Sequence, residues 1–468
     1  MIQKNKKEEI EEGIFYGEMK EKAIDQSLDN SIKDGATASV ALGAGENFIS
    51  AYAIAMSASN FQLGILSALP SLMPGEIIST KLMNHFSRKN IIIKAKLVQA
   101  ALWLPILLIS LLFLKDIKFA PWLLIVFYST YTLVGFMINP AWGSWMKDLT
   151  AGREIGKYFG LRNKIVGFVS LLATLAAGFI LDFFKNRKMV FIGFGLLFIA
   201  SALGKFISTR FVRKKYEPKF KIEKEAYFSF WQFLKKAPSN NYGRFAIFFA
   251  AMNMATYISA PFFAPYMLKD LQFSYITFTM INLVISAVAT LLFMPLWGEF
   301  IDRHGCVKTL QITSYLVPII PLLWLLSPSL WWLVFIQVLT GIVWAGFNLA
   351  AGNFTYDAVT RPRMALCIAY TATLTSIGIF LGAIAGGLLA SFTTISMNIY
   401  FFVFVVSGLA RLAVTVLFLP RIKEIRPNIS QMKLYLKMWR PFNTGNSAMS
   451  RVGEIVELPF HLLKTRKR

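Results

Sequence analysis

Apolar residues gather into twelve runs along this chain, each near twenty residues long and separated by shorter polar stretches. A hydrocarbon core of about 30 Å is crossed by ~20 helical residues rising about 1.5 Å each, so every run is long enough to span a bilayer as a helix. The spacing predicts spans over 34–56, 60–84, 91–114, 119–147, 155–181, 188–209, 244–267, 273–298, 307–326, 329–357, 363–391 and 396–419. Residues 210–243, the longest internal polar stretch, carry Arg210, Arg213, Lys214, Lys215, Lys219, Lys221 and Lys224. The pattern therefore predicts an all-α, polytopic membrane protein of two six-helix bundles, 34–209 and 244–419. A tail (1–33), a linker (210–243) and a second, basic tail (420–468) flank and join them.

The two bundles read as copies of one another. Gly135-Phe136 in span 4 recurs as Gly346-Phe347 in span 10, 211 residues on, and Arg153 after span 4 matches Arg363 after span 10, 210 residues on. The starts of spans 1 and 7 are also 210 residues apart. In polytopic proteins such duplication goes with a solute site at the interface of the repeats.

Lys and Arg, 49 in all, concentrate in the tails and even-numbered loops, which places both termini on the cytoplasmic side of a cell membrane. A hydrophobic fraction of 56%, a mean hydropathy of +0.54 and 42 Phe exclude a soluble or disordered chain. The formal charge of +24 belongs beside an anionic lipid leaflet, so no nucleic-acid partner is expected. Met1 to Lys33 has no apolar core of the signal-peptide kind, and span 1 is expected to act as its own insertion signal. Cys306 and Cys367 fall at cytoplasmic helix ends, where no disulfide is expected. His85, His304 and His461 lie far apart, without a ligand cluster, so neither a metal nor a cofactor is expected. In the basic tail Met432, Tyr435, Leu436 and Trp439 recur at helical spacing among Lys433, Lys437 and Arg440. That segment is read either as an amphipathic helix on the inner leaflet or as a partly disordered tail.

Between spans 8 and 9 the chain reads Gly298-Glu299-Phe300-Ile301-Asp302-Arg303-His304-Gly305, followed by Lys308. This resembles the loop motif of the major facilitator superfamily: Gly, three residues, Asp-Arg, one residue, Gly, then basic residues. Twelve spans, a six-plus-six division and inside termini extend the resemblance over the whole chain. In the first half, Asn84 and His85 of Asn84-His85-Phe86-Ser87-Arg88-Lys89 stand where Asp-Arg would fall, so that copy departs from the pattern. The segment Asp148 to Asn163, with Arg153, Gly156, Phe159, Gly160 and Arg162, is also similar to the family's loop between helices 4 and 5. The resemblance implies a cytoplasmic gate in which Arg303 pairs with Asp357, and Asp302 faces Arg363 or the start of span 11. In the first half Asp148 would take Arg88. The alternative is that these are helix caps and topology determinants.

The resemblance also implies that helices 1, 4, 7 and 10 line a central cavity. Inside the spans Glu46, Glu76 and Arg411 stand out as ionisable residues, each costly in lipid. Glu46, with Asn47 beside it, shares a small polar stripe of span 1 with Ser39, Gly43, Ser50 and Ser57, which reads as a cavity wall. Burial disfavours an ionised carboxylate, so Glu46 is expected to exchange a proton; the alternative is a hydrogen bond to a neighbouring helix. Glu76 follows Pro70, Pro74 and Gly75, and marks either an unwound hinge or an ion pair with a cytoplasmic cation. Arg411 is expected to snorkel toward the inner interface. Span 4 offers Tyr128, Tyr131, Gly135, Asn139 and Trp142; span 7 offers Asn253, Thr256 and Tyr257; span 10 offers Gln337, Trp344, Asn348 and Thr355. Neutral hydrogen-bonding groups beside aromatic faces, with no Lys or Arg deep in these four helices, suit a neutral or cationic organic solute and argue against phosphate esters and multivalent carboxylates, which usually require a buried cation. Gly378, Gly382, Gly386 and Gly387 in span 11 permit close helix packing. Span 5 lacks the Gly-Pro element seen in proton-antiporting drug exporters of the family.

Gly152 to Tyr158 has the wrong spacing for a phosphate loop, so an ion gradient, with H⁺ favoured, would supply the energy. The expected function is a monomeric secondary transporter working by alternating access. A transport-inactive solute sensor or membrane scaffold of the same fold is the alternative. A lipid-modifying membrane enzyme is a third reading, for which no catalytic grouping is found.

Overall fold

The structure, a computed structural model, describes residues 2–72, 78–79, 82–83, 85–115, 119–150, 155–218, 229–359, 361–392 and 398–425; within these, side chains are described except at 2–20, 155–157, 361–363 and 365. Glu76, Arg153 and the basic segment from Met432 lie outside the described residues, as does the side chain of Arg363.

Among the described residues, ten helical segments are long and apolar enough to cross a membrane. Spans 3 to 6 are Arg88–Leu114, Ala120–Leu149, Ile155–Lys185 and Val190–Arg213, and spans 8, 10, 11 and 12 lie at Tyr275–His304, Leu330–Ala358, Arg361–Leu389 and Ile399–Phe418. Spans 1, 2, 7 and 9 are broken. Span 1 is the end of a helix over Ile2–Ala44, then a 3-10 turn at Glu46–Phe48 and a short helix at Ile49–Ala55. Span 2 begins at Asn60–Ala68 and passes into a 3-10 turn at Leu69–Leu72, where Pro70 cannot donate to the helical ladder. Span 7 runs as a regular helix over Asn241–Ser259 and ends in a π segment at Tyr266–Asp270, and span 9 divides into Cys306–Leu316 and Ile319–Leu323. A further short helix, Phe230–Lys236, lies in the linker. Starts are fixed by side-chain caps: Ser59, Ser87, Asn240, Ser274 and Ser329 each accept from a backbone N–H in the first turn.

The two halves repeat one packing scheme. Span 1 lies between spans 5 and 6 as span 7 lies between spans 11 and 12. Small residues set these contacts. A Cβ on Gly43 would strike the backbone of Ser170 in span 5, and one on Gly378, Gly382 or Gly386 would strike the carbonyls of Ala250, Met254 or Ile258 in span 7. Between the halves, span 2 packs on span 11 and span 5 on span 8, the two pairs being equivalent under the duplication. Leu104, Leu108, Leu111, Phe168, Phe179, Leu291 and Trp331 are all exposed, an apolar outer surface suited to lipid.

Hydrogen bonds join the halves at the face of the odd-numbered loops. Both carboxylate oxygens of Asp182, at the end of span 5, accept from the first N–H groups of span 8: Tyr275 at 2.6 Å and Ile276 at 2.8 Å. Asn60 donates to the Ala390 carbonyl at 2.9 Å, and Lys269 to that of Ala58 at 3.1 Å. Gly64 and Gly387 bring spans 2 and 11 into backbone contact beneath these bonds.

Candidate functional site

Gly45 interrupts span 1, and its lack of a side chain admits the Trp103 ring of span 3 and the Ser201 hydroxyl, which a Cβ would meet at 2.5 and 2.6 Å. The chain then tightens into the 3-10 turn that carries Glu46. One oxygen of the Glu46 carboxylate accepts from the Tyr131 hydroxyl of span 4 at 2.5 Å, and Lys205 of span 6 stands 3.4 Å from the same oxygen. The Lys205 ammonium lies 5.4 Å over the Tyr131 ring, and Trp103 meets that ring edge-on at 5.0 Å. Glu46 and Lys205 keep 24% and 13% side-chain exposure, enough for water to reach the pair. Asn47 turns the other way and donates to Thr174 of span 5 at 3.1 Å, while Ser50 is half-buried.

The polar stripe expected along span 1 does not form a continuous wall. Ser39 and Gly43 are buried, the latter against span 5, because the break at Gly45 changes the helical phase between them and Ser50. On span 4, Tyr131 is buried and Asn139 exposed, and Trp142 is half-buried with the Arg162 guanidinium 4.5 Å above its ring. On span 7, Asn253 donates back to the Phe249 carbonyl at 2.8 Å and Tyr257 is half-buried. Span 10 exposes Asn348 and Gly352 one turn apart and sets Trp344 edge-on to Phe347 at 5.3 Å. Asn139 of span 4 and Asn348 of span 10 are thus polar residues exposed in mid-span.

The loop motif is built differently from the expected pairing. Arg303 pairs along its own helix with Glu299 at 3.6 Å, both exposed, while Asp357 accepts from the Cys306 thiol at 3.5 Å. Arg303 therefore does not meet Asp357 here. Gly298 lies in mid-helix, and Gly305 takes a φ of 87°, a left-handed conformation that lets span 8 stop and span 9 start one residue later. Asp302 is exposed at the same end of span 8. In the first half Arg88 is fully buried and donates to Asp148 at 2.6 Å, to Ser144 at 3.1 Å and to the Pro218 carbonyl at 3.0 Å.

Arg411 does not snorkel. It is 2% exposed and donates to the Val317 carbonyl at 3.2 Å and the Ser259 hydroxyl at 2.8 Å. Pro321 has no N–H for the carbonyl four residues before it, which is Val317, and Pro318 likewise leaves Ser314 free. Arg411 and Thr415, one turn apart on span 12, donate to those two carbonyls, Thr415 at 3.0 Å.

Buried charge is also more plentiful than Glu46, Glu76 and Arg411 suggest. Asp34 of span 1 is bonded to Lys96 of span 3, to Lys215 just beyond span 6 at 2.7 Å and to Ser208 at 2.6 Å. Burial pushes the Lys215 ammonium below its ordinary value, with Asp34 opposing the shift. Lys96 and Lys205 were legible as cations inside apolar runs, but nothing in the spacing couples them to Asp34 or Glu46.

Helical halves related by duplication, packed at one face and carrying a charged site in a broken helix, define a polytopic membrane transporter fold. The second half, residues 245–460, matches the Major Facilitator Superfamily. The whole chain is similar in structure to the nucleoside transporter NupG (14% identity, TM-score 0.62, 86% of this chain and 99% of that one). It is also similar to a bacterial homologue of the iron transporter ferroportin in an inward-facing state (12%, 0.65, 86% and 99%). A bacterial homologue of the lysosomal transporter Spinster, inward-facing and unoccupied, gives 14% identity and a TM-score of 0.59, with 86% and 95% covered. No match was found among curated proteins.

Proposed function

We propose that this protein is a secondary active transporter that moves a small polar organic solute through the cell membrane by alternating access, with Glu46 as the proton-binding carboxylate. The observation that carries the proposal is the placing of Glu46 in a helix break between Tyr131 and Lys205. A carboxylate held by one hydroxyl and one ammonium, and still reached by water, is placed to trade one partner for another as spans 1, 4 and 6 move. The termini and even-numbered loops face the cytoplasm in this reading. Closure at the odd-loop face, through Asp182 and the Gly64–Gly387 contact, then corresponds to an inward-facing state.

With no cation deep in spans 1, 4, 7 and 10, a neutral or cationic solute is expected. Lys205 and Arg162 enter the first bundle's wall from spans 6 and 5, so that premise covers only part of the wall. Hydrogen-bonding and aromatic side chains keep the solute small, organic and polar; its charge follows from where these two cations sit. The protein is taken to act as a monomer among lipids. Purified full-length protein in sealed vesicles, screened with labelled solutes under imposed pH gradients, should show saturable accumulation that collapses with the gradient. Absence of any protein-dependent uptake across the panel would favour a sensor or scaffold of the same fold.

A further inference from the structure

Span 5 begins at Ile155, so Arg162 lies two turns inside the helix and not in the loop where its motif places it. Leu161, Phe168 and Leu172 are exposed on the lipid side of that helix, whereas Arg162 leaves it on the flank toward spans 1 and 4. Its guanidinium is slotted between the Trp142 ring, 4.5 Å away, and Gly35 of span 1, where a Cβ would come within 2.8 Å of Nη2. Gly35 is what lets a flat cation lie on the helix surface.

A guanidinium carries five N–H donors. Among the described residues, the Arg162 Nε is buried with no hydrogen-bond partner. Asp34, the nearest buried carboxylate, is already bonded to Lys96, Lys215 and Ser208. One carboxylate thus faces three cations among the described residues, and Asp29, on the same helix, is paired with Lys33 at 2.7 Å. A buried donor without an acceptor, on a cation beside two others, is costly unless an anion completes the group. Beside them, Asn139 and Gly143 of span 4 are exposed, and nothing lies within 4 Å of where a Gly143 side chain would begin.

We propose that Arg162, seated on Trp142, recognises a carboxylate or phosphate group on the organic solute that enters between the halves. The inference rests on the transporter reading for the route of entry, and on the guanidinium itself for the chemistry. Two oxygens of a carboxylate or phosphate match the guanidinium fork with parallel hydrogen bonds, and a neighbouring indole fixes the plane of that fork. An anionic lipid headgroup offers the same oxygens, but the flank on which Arg162 leaves span 5 is the one turned from the lipid side. The solute is therefore an organic acid, held at its acidic end by Arg162.

The test uses thermal unfolding of the purified full-length protein with sodium benzoate, inorganic phosphate, neutral benzamide and phosphatidylglycerol, all at matched ionic strength. Benzoate or phosphate should raise the melting temperature and benzamide should not. In Arg162→Gln the apparent anion affinity should fall about tenfold or more, the usual effect of losing charge-assisted hydrogen bonds, while Lys164→Gln, on an exposed neighbour, keeps it. Should Arg162→Gln fail to fold, hydrogen exchange in the wild type decides: benzoate must slow exchange in residues 155–170. An unaltered anion response in Arg162→Gln, equal effects of benzamide and benzoate, no response to either anion, or a response to phosphatidylglycerol alone would each overturn the proposal. Anion binding without vesicle uptake would instead sink the transport reading and leave this site standing; uptake of neutral solutes without anion binding would do the reverse.

Discussion

The Lys205 ammonium stands 3.4 Å from the Glu46 oxygen to which the Tyr131 hydroxyl also donates, so spans 1, 4 and 6 meet at a single carboxylate atom. Any change in the charge of Glu46 is felt at once by two other helices of the first bundle.

Glu46→Gln keeps the size and the acceptor for Tyr131 but cannot exchange a proton. Uphill accumulation driven by a pH gradient should be lost, while solute exchange across vesicles without a gradient is retained. Counterflow and pH-jump uptake measured on the same vesicles check this; pH-driven uptake equal to wild type would remove Glu46 from coupling.

Asp182 closes the odd-loop face by capping span 8 from the other half, and a carboxylate at a helix start gains from both the N–H groups and the helix dipole. Asp182→Asn keeps one acceptor and loses the charge, which should weaken closure by about 1 kcal/mol. Thr279, fully buried across from Gly178 in the closed state, reports on it when replaced by cysteine in a Cys306→Ser, Cys367→Ser background. Labelling by an impermeant maleimide should rise severalfold with Asp182→Asn. An identical rate would mean that the cap plays no part in closure.

Arg411→Met should destabilise the second bundle by about 2–3 kcal/mol, because the Val317 carbonyl freed by Pro321 then lies buried without a donor. Pro321→Ala restores that carbonyl's own N–H partner. The double variant should therefore melt above Arg411→Met alone, and strict additivity in the melting curves would show that Arg411 acts in some other way.

Two glycines should behave in opposite ways. Gly382→Val would drive a side chain into the Met254 backbone and is expected to abolish folded yield, whereas nothing lies within 4 Å of a Cβ at Gly352. Gly352→Val should fold normally and slow transport by narrowing the gap beside Asn348. Monodispersity by size-exclusion chromatography and initial uptake rates separate the two outcomes.

The spans were legible because the bilayer demands long apolar runs whatever the tertiary contacts, and ten of them emerge as long apolar helices. Close packing at Gly378, Gly382 and Gly386 was legible for a similar reason, since small residues at one-turn spacing have few other uses in lipid. Arg411 was misread because snorkelling is the default for an isolated cation, and Pro321, which frees the carbonyl that its guanidinium serves, lies ninety residues earlier in the chain. Arg303 pairs with Glu299 because the carboxylate on its own helix is always close, and in a state open to the cytoplasm a gate pair with Asp357 is apart.

What the chain by itself determined is an all-helical series of long apolar spans and the presence of a carboxylate at Glu46 inside one of them, for these rest on hydropathy and local spacing. The fold alone decided that Lys205 and Tyr131 converge on that carboxylate, that Asp182 caps a helix of the other half, and that Arg162 lies against Gly35 and Trp142. Each of these contacts joins residues on different helices, and their meeting depends on how the helices rotate and break, which a one-dimensional pattern does not encode.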